Sequence, residues 1–165
     1  MNTEPKIDER EELHYMGIRT QVTMGEMGSG IIPQLLNEII AWLGKQGAEP
    51  QGAPFMRYHV INMAAKLDIE LGFPVAEAME GNGRVQMAVL PAGRYASLIY
   101  TGIQNGMAGN KVLIDWAKTN GVQWDRWDDE NGDAFRSRYE TYLTNPDDEP
   151  DPAKWETEVA IKLAD

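Results

Sequence analysis

The sequence contains no cysteine and only two histidines, which narrows the chemistry open to it. Without cysteine the chain forms neither disulfides nor thiolate nucleophiles, and a zinc site lacks its usual ligands. We therefore expect no metal and no cofactor. The lack of disulfides is also compatible with a reducing compartment.

Basic residues are also scarce. The sequence has 15 lysines and arginines and 26 acidic residues, which gives a net charge of −11. Such a surface repels phosphate backbones, so we expect no nucleic-acid binding by this chain alone. Cationic or neutral small molecules are better electrostatic partners. A basic protein partner stays open.

Long apolar runs are also missing. No stretch approaches the roughly 20 apolar residues that a membrane-spanning helix needs. The charged start "MNTEPKIDEREELHY" lacks the apolar centre of a signal peptide. The sequence therefore predicts no membrane contact and a cytoplasmic location, and its length suits a single domain.

Helical periodicity is what the sequence does contain, in two segments. Apolar residues recur at three- and four-residue spacing in "IIPQLLNEIIAWLGKQG" and again in "GNKVLIDWAKTNG". Gly47 and Gly121 are predicted to end these helices. The predicted apolar faces are Ile31, Ile32, Leu35, Leu36, Ile39, Ile40 and Leu43 in the first helix, and Val112, Leu113, Trp116 and Ala117 in the second.

The two helices look like copies within a longer repeat. "IIAWLGKQG" aligns with "LIDWAKTNG", and extended runs flank both helices in the same order. Such a repeat predicts one domain over 1–165, made of two strand-helix-strand-strand modules at about 6–78 and about 83–165. The fold class is α+β, with a mostly antiparallel sheet, both helices on one face and a ligand cleft between the modules. The other sheet face is predicted to be free to form a groove.

Glu140 stands out because it lies between two tyrosines in the strand "FRSRYETYL". Alternation turns Glu140 away from the helices, toward a groove between the halves. It is then either a desolvated carboxylate in an aromatic cleft or a solvated one paired with Arg138 or Arg57. The residues alone favour the solvated state. The strand residues predicted to face the core are Phe135, Ser137, Tyr139, Thr141 and Leu143.

Further candidates follow from the repeat and from the aromatic residues. His59 aligns with Glu140 and is predicted to face the same groove, with an ordinary surface histidine as the alternative. Glu70 is assigned either to the pocket or to a solvated face. Trp124 and Trp127 lie in a predicted loop, as a lid over the pocket or as packing beneath the second module. The tyrosines that either line the pocket or pack in the core are Tyr58, Tyr100, Tyr139 and Tyr142.

The order "ELGFPV…LPAGRYA…YTG", followed by "YETYLTNP", resembles the GyrI-like, or AraC-type effector-binding, domains. The resemblance runs from about Leu13 to Leu163. It implies two tandem modules with a drug pocket in the cleft between them, and Glu140 in "ETYLTNP" matches the pocket glutamate of the family. Aromatic residues of that pocket stack on flat, often cationic ligands. With the resemblance, the cleft interpretation of Glu140 becomes the preferred one.

Three functions are predicted, in this order. The first is binding of hydrophobic, planar, often cationic drugs or toxins, for sequestration or sensing. The second is hydrolysis of cyclopropane-type DNA-alkylating toxins, which some stand-alone members of the family perform, with Glu140 as general base or acid. The third is inhibition of gyrase through protein binding. No helix-turn-helix precedes the domain in this sequence, so a self-sufficient transcription factor is not expected.

Overall fold

The computed structural model describes residues 2–165 and shows a ten-stranded sheet with three α-helices. All strand pairs are antiparallel. The elements are β1 (Lys6–Arg10), β2 (Leu13–Val22), α1 (Met24–Met27), α2 (Ile31–Lys45), β3 (Phe55–Ile61), β4 (Leu67–Pro74), β5 (Gln86–Leu90), β6 (Gly93–Thr101), α3 (Gly106–Thr119), β7 (Arg126–Asp129), β8 (Gly132–Phe135), β9 (Arg138–Tyr142) and β10 (Glu156–Lys162). Short 3-10 turns cover Ile103–Asn105 and Pro152–Lys154.

The strand order is β1-β6-β10-β9-β3-β4-β2-β5, with β8 pairing the end of β3 and β7 pairing β8. The series β9-β10-β6 and β3-β4-β2 run outward from the centre in matching order. The strands that directly precede β2 and β6 in the chain cross over, because β1 pairs with β6 and β5 pairs with β2. The predicted α+β class with a mostly antiparallel sheet is confirmed. The duplication of two modules and their boundaries stay predictions.

Both long helices end as the sequence predicts. Gly47 and Gly121 follow α2 and α3 with φ angles of 69° and 68°, a left-handed conformation that glycine adopts without steric cost. The buried stripe of α2 is narrower than predicted, because Leu35, Ile39 and Leu43 are buried while Ile40 is 41% exposed.

The buried stripe of α3 differs in the same way. Leu113 and Ala117 are buried as predicted, and Gly109 joins them. Val112 is 40% exposed, so its assignment to the packed face is wrong. A helix resting on one sheet buries one stripe of residues, and a neighbouring apolar position then remains in solvent.

The two helices cover the same face of the sheet. Met56, Glu140 and Val159 lie side by side on β3, β9 and β10 and therefore point to one face. Met56 packs in the core under α2, and Val159 packs in the core under α3. The cores of the two helices therefore meet along the central strands β3 and β9.

The opposite face is not an open groove, and that prediction is wrong. β5 and β6 lie near opposite ends of the strand order, yet Pro91 and Ala92 alone separate them. A linker of two residues spans only about 10 Å, so the sheet must curl strongly. The side chains of the inner face then pack on one another: Tyr15, Phe55, Leu90, Tyr95, Tyr139 and Ala160.

Residues 2–165 contain neither a helix suited to cross a membrane nor a cluster of metal-binding side chains. No helix in this range has the length and apolar character that crossing a bilayer requires. Over the same range, no three side chains of the metal-binding types gather closely enough to hold an ion.

Candidate functional site

Glu140 points toward the helices, contrary to the predicted orientation. It pairs in register with Met56 and Val159 and is only 6% exposed. Tyr142, two residues later on the same face of β9, packs against the core under α2. Tyr139 points to the curled inner face instead. The sequence assignment failed because both faces of β9 are buried, so alternation does not separate core from solvent.

Two tyrosine hydroxyls hold the Glu140 carboxylate. Tyr58 on β3 donates to Oε2 at 2.5 Å, and Tyr100 on β6 donates to Oε1 at 2.7 Å. The side-chain amide of Asn110 on α3 approaches Oε1 at 3.4 Å. Tyr58 belongs to the packing under α2 and Tyr100 to the core under α3. The carboxylate therefore joins the two helix-covered halves.

Glycines of α3 let the helix close over Tyr100. A Cβ added at Gly109 would lie 3.0 Å from the Cβ and Cγ atoms of Tyr100, and one at Gly106 would lie 3.3 Å from its hydroxyl. These separations are closer than an ordinary van der Waals contact. The two small residues therefore allow α3 to press on the ring of Tyr100, whose hydroxyl reaches Glu140.

Three tyrosines around the carboxylate are poor acids. Burial raises the pKa of Tyr58, Tyr100 and Tyr142 above the usual value, and the negative charge of Glu140 raises each pKa further. They stay neutral hydroxyl donors at physiological pH. The negative charge of the cluster therefore resides on Glu140 alone.

His59 and Glu70 form a separate cluster on the curled inner face, so the prediction that His59 shares the groove of Glu140 is wrong. His59 Nε2 lies 2.8 Å from Glu70 Oε1, and the hydroxyl of Tyr15 donates to the same oxygen at 2.6 Å. Arg57 in turn donates to the Tyr15 hydroxyl at 2.9 Å. Glu70 is 5% exposed, so neither the shared pocket nor the solvated face describes it.

Trp124 and Trp127, both predicted to lie in one loop, have different surroundings in the structure. Trp124 makes a bridge to Leu163 and packs against the core under α3, which agrees with the packing alternative. Trp127 belongs to strand β7 rather than to a loop and is 43% exposed. The guanidinium of Arg136 lies 5.2 Å from its ring centre. Neither ring contacts Glu140 through a hydrogen bond, and their role in ligand binding stays a prediction.

Two residues of the cluster escaped the sequence reasoning. Asn110 lies in the middle of α3 with no motif around it. Arg138 was considered only as a partner of Glu140, but its terminal nitrogen donates to Asn110 Oδ1 at 2.9 Å. Its position two residues before Glu140 on the same strand was the available signal, since residues at that spacing share a face.

Two surface depressions lie away from Glu140. One of about 660 Å³ is lined by Glu9, Arg10, Glu11, Ala92, Gly93, Arg94 and Asp165. A second of about 370 Å³ is lined by Gln21, Val60, Asn62, Ala65, Lys66, Asp68, Glu130 and Asn131. The first follows the β1–β6 edge and the second lies between the β3–β4 turn and the β7–β8 hairpin. The carboxylate itself is covered by its tyrosines in this conformation.

Solved structures with the same fold include EcmrR, SAV2435 and a hydrolase from Listeria innocua. The EcmrR C-terminal domain superposes with a TM-score of 0.73 at 21% identity, covering 98% of this chain and 97% of that one. EcmrR in a complex with DNA gives 0.76 at 20% identity and 97% of this chain, which spans 57% of the EcmrR chain. SAV2435 bound to tetraphenylphosphonium gives 0.66 at 9% identity, covering 98% and 94% of the two chains. The hydrolase gives 0.64 at 15% identity, covering 98% and 92%.

Identities at this level establish the shared fold alone. No curated protein matches the sequence. The sequence model of the GyrI-like small molecule binding domain, in contrast, matches residues 3–164, nearly the whole length. The chain therefore belongs to the GyrI-like family of small-molecule-binding domains.

Proposed function

We propose that the protein binds hydrophobic, flat cations between α2 and α3, with Glu140 as the counter-charge, for sequestration or sensing. One observation carries this proposal. Glu140 is buried, yet no basic side chain among residues 2–165 comes within 4.0 Å of its carboxylate. Buried charges in proteins are normally paired.

The surroundings of Glu140 favour a cation over a neutral ligand. The tyrosines stay protonated and stabilise the carboxylate by hydrogen bonds without cancelling its charge. An entering cation therefore gains Coulomb attraction in a setting of low polarity. A flat ligand also gains cation–π attraction of about 0.5–2 kcal/mol from each well-placed ring.

Entry requires the tyrosine side chains to move. Tyr58 and Tyr142 are half-buried and form the outer part of the cluster, whereas Tyr100 is 6% exposed beneath α3. Rotation of the two outer rings opens a path to the carboxylate and lets the rings stack on the ligand. The structure of SAV2435 with tetraphenylphosphonium supports hydrophobic cations as ligands. Because that cation is tetrahedral, the preference for flat cations rests on the tyrosine rings around Glu140 alone.

Exchange of Glu140 for glutamine tests the proposal. Glu140→Gln keeps the size of the side chain but removes its charge, and hydrogen bonds or contacts to a charged group contribute about 1.5–3 kcal/mol. We expect the affinity for tetraphenylphosphonium, measured by isothermal titration calorimetry, to fall about 10- to 100-fold.

Glu158→Gln is the matched control. Glu158 lies on the neighbouring strand β10 and pairs with Arg10 at 2.9 Å, away from the tyrosine cluster of Glu140. This variant should bind the cation as the unchanged protein does. Equal affinity of Glu140→Gln and the unchanged protein would remove Glu140 from the binding site.

A second function is favoured by the pairing of a buried carboxylate with phenol hydroxyls. In hydrolysis of a cyclopropane fused to a conjugated ketone, Glu140 takes a proton from water while the water oxygen bonds to a ring carbon. The strained carbon–carbon bond breaks, and its electron pair moves into the carbonyl, whose oxygen accepts a hydrogen bond from a tyrosine. The proton held by Glu140 then passes to the resulting enolate, which gives a product equal to the substrate plus one water and restores the carboxylate. The solved hydrolase from Listeria innocua supports the compatibility of the fold with hydrolysis.

Turnover separates the two functions. Incubation with a cyclopropane-containing alkylator, followed by mass spectrometry, should reveal a product heavier by one water if the protein is a hydrolase. Glu140→Gln should then bind the alkylator without consuming it. An alkylator recovered unchanged from the unmodified protein would leave binding as the function and dismiss hydrolysis.

A further inference from the structure

Arg138 is a buried cation that lies two residues before Glu140 and on the same face of β9. It is 9% exposed, and no carboxylate among residues 2–165 lies within 4.0 Å of its guanidinium nitrogens. Its Nε atom is buried and has no hydrogen-bond partner among these residues. A buried hydrogen-bond donor without a partner lowers the stability of the fold, and such groups are rare in proteins.

The guanidinium is held in place by groups that belong to the Glu140 cluster. A terminal nitrogen donates to Asn110, and the amide of Asn110 approaches Glu140. The flat group lies 4.8 Å from the ring centre of Phe135 and 5.9 Å from that of Tyr58. Arg138 is therefore fixed beside the carboxylate without being paired with it.

Three other cations with little exposure make more polar contacts than Arg138 does. Arg10 forms a bidentate pair with Glu158. Lys162 binds Asp125 at 3.1 Å and the carbonyl oxygen of Leu163 at 3.2 Å. Arg57 also has a free Nε, but its terminal nitrogens donate to Tyr15 and to two carbonyl oxygens. Arg138 has a free Nε as well, and a single hydrogen bond, to Asn110, holds the rest of its guanidinium.

We propose that Arg138 is a second recognition point of the ligand site, and that it binds an anionic or carbonyl oxygen of the ligand. The preferred ligand is then a flat, hydrophobic molecule that carries both a cationic centre for Glu140 and an oxygen acceptor for Arg138. This inference rests on the proposed binding function. It adds a chemical requirement that a simple cation does not meet.

Two xanthylium dyes test the requirement. Tetramethylrosamine is a flat cation without an acceptor, and tetramethylrhodamine is the same cation with a carboxylate on its phenyl ring. We expect the unchanged protein to bind the rhodamine about tenfold or more tightly than the rosamine, as measured by fluorescence anisotropy. Rosamine binding equal to or tighter than rhodamine binding would overturn the proposal.

Exchange of Arg138 for methionine should remove this preference. Methionine has a similar length, so it keeps much of the packing of Arg138 while it removes the charge and the hydrogen-bond donors. We expect Arg138→Met to lower rhodamine affinity about tenfold or more and to leave or raise rosamine affinity. Arg136→Met, two positions earlier and exposed, is the matched control and should change neither affinity. An equal loss for both dyes in Arg138→Met would show a structural role and overturn the proposal.

A measurement on the unchanged protein covers the case in which Arg138→Met does not fold. The Nε proton of Arg138, assigned through Arg138→Lys, should shift downfield in nitrogen-edited NMR when the rhodamine is added, and less so with the rosamine. Equal shifts would overturn the proposal. Rosamine binding that Glu140→Gln abolishes, without a preference for rhodamine, would overturn the Arg138 role alone. No binding of either dye would overturn the proposed function and this inference together.

Discussion

Replacement of Ile39 by alanine is expected to lower the free energy of unfolding by about 2–5 kcal/mol. Ile39 is fully buried in the middle of α2 and packs in the core formed with β2, β3 and β4. Its removal takes away the transfer free energy of three carbon atoms and leaves a cavity in a region that the sheet holds in place. Urea unfolding followed by circular dichroism measures the change.

Ile40→Ala is the matched control, because it deletes the same atoms one residue further along the same helix. Ile40 is 41% exposed, so its loss should cost less than about 1 kcal/mol. Equal losses in the two variants would mean that α2 is rotated relative to the structure described above. The slope of the unfolding curve with urea should remain the same in both.

Replacement of Glu70 by leucine is the second large effect, with an expected loss of about 3 kcal/mol of stability. Leucine has a similar size but accepts no hydrogen bond, so the Tyr15 hydroxyl and His59 lose their acceptor on the buried inner face. Arg57, which donates to Tyr15, also loses a nearby negative charge. The loss follows from leaving buried polar groups without partners.

The stabilising effect of Glu70 should depend on pH. Burial by itself would raise the pKa of Glu70, but the hydrogen bonds from His59 and Tyr15 and the nearby positive charges outweigh it and hold the pKa below its usual value. A carboxyl with a depressed folded-state pKa stabilises the fold above its unfolded pKa, about 4.3, and loses this effect as the pH falls through the folded value. The stability gap between the unchanged protein and Glu70→Leu should therefore shrink below about pH 4.

Asp68→Asn serves as the control for both measurements. Asp68 lies two residues away on the same strand and pairs with Arg19, which is largely exposed, at 2.8 Å. A surface pair of this kind contributes about 0–1 kcal/mol. A loss in Asp68→Asn as large as that in Glu70→Leu would contradict the assignment of the buried network.

Much of the fold could be predicted from local pattern. The three- and four-residue spacing of apolar side chains located α2 and α3, and glycines marked their ends. The exposure of Ile40 and Val112 could not be predicted, because it depends on which stripe of each helix meets the sheet. The curl of the sheet also escaped prediction, since it arises from the exchange of β1 and β5 between the halves.

Some residues of the Glu140 cluster were predicted, partly from a family resemblance and partly from the positions of the tyrosines. Glu140 was selected by its resemblance to a family motif, and four tyrosines were named as pocket or core residues. Tyr58, Tyr100 and Tyr142 lie around Glu140, whereas Tyr139 lies on the other face of the sheet. The orientation of Glu140 was predicted wrongly, because a strand with two buried faces carries no solvent side for alternation to reveal.

His59 was misplaced because the repeat aligned it with Glu140, whereas in the structure it lies at the irregularity of β3 between Tyr58 and Val60 and contacts Glu70. Asn110 reaches the site only through the docking of α3 on β6, a contact that no local pattern encodes.

The pairing of β1 with β6 has a consequence for the newly made chain. Strands β2 to β5 pair among themselves and carry α2, so residues 13–90 hold a complete four-stranded layer before β6 to β10 leave the ribosome. β1 emerges earlier than all of these but must wait for β6, which begins at Gly93. β1 is therefore synthesised before β2 to β5 but docks after them, and its charged sequence "KIDER" disfavours pairing with other strands during the delay.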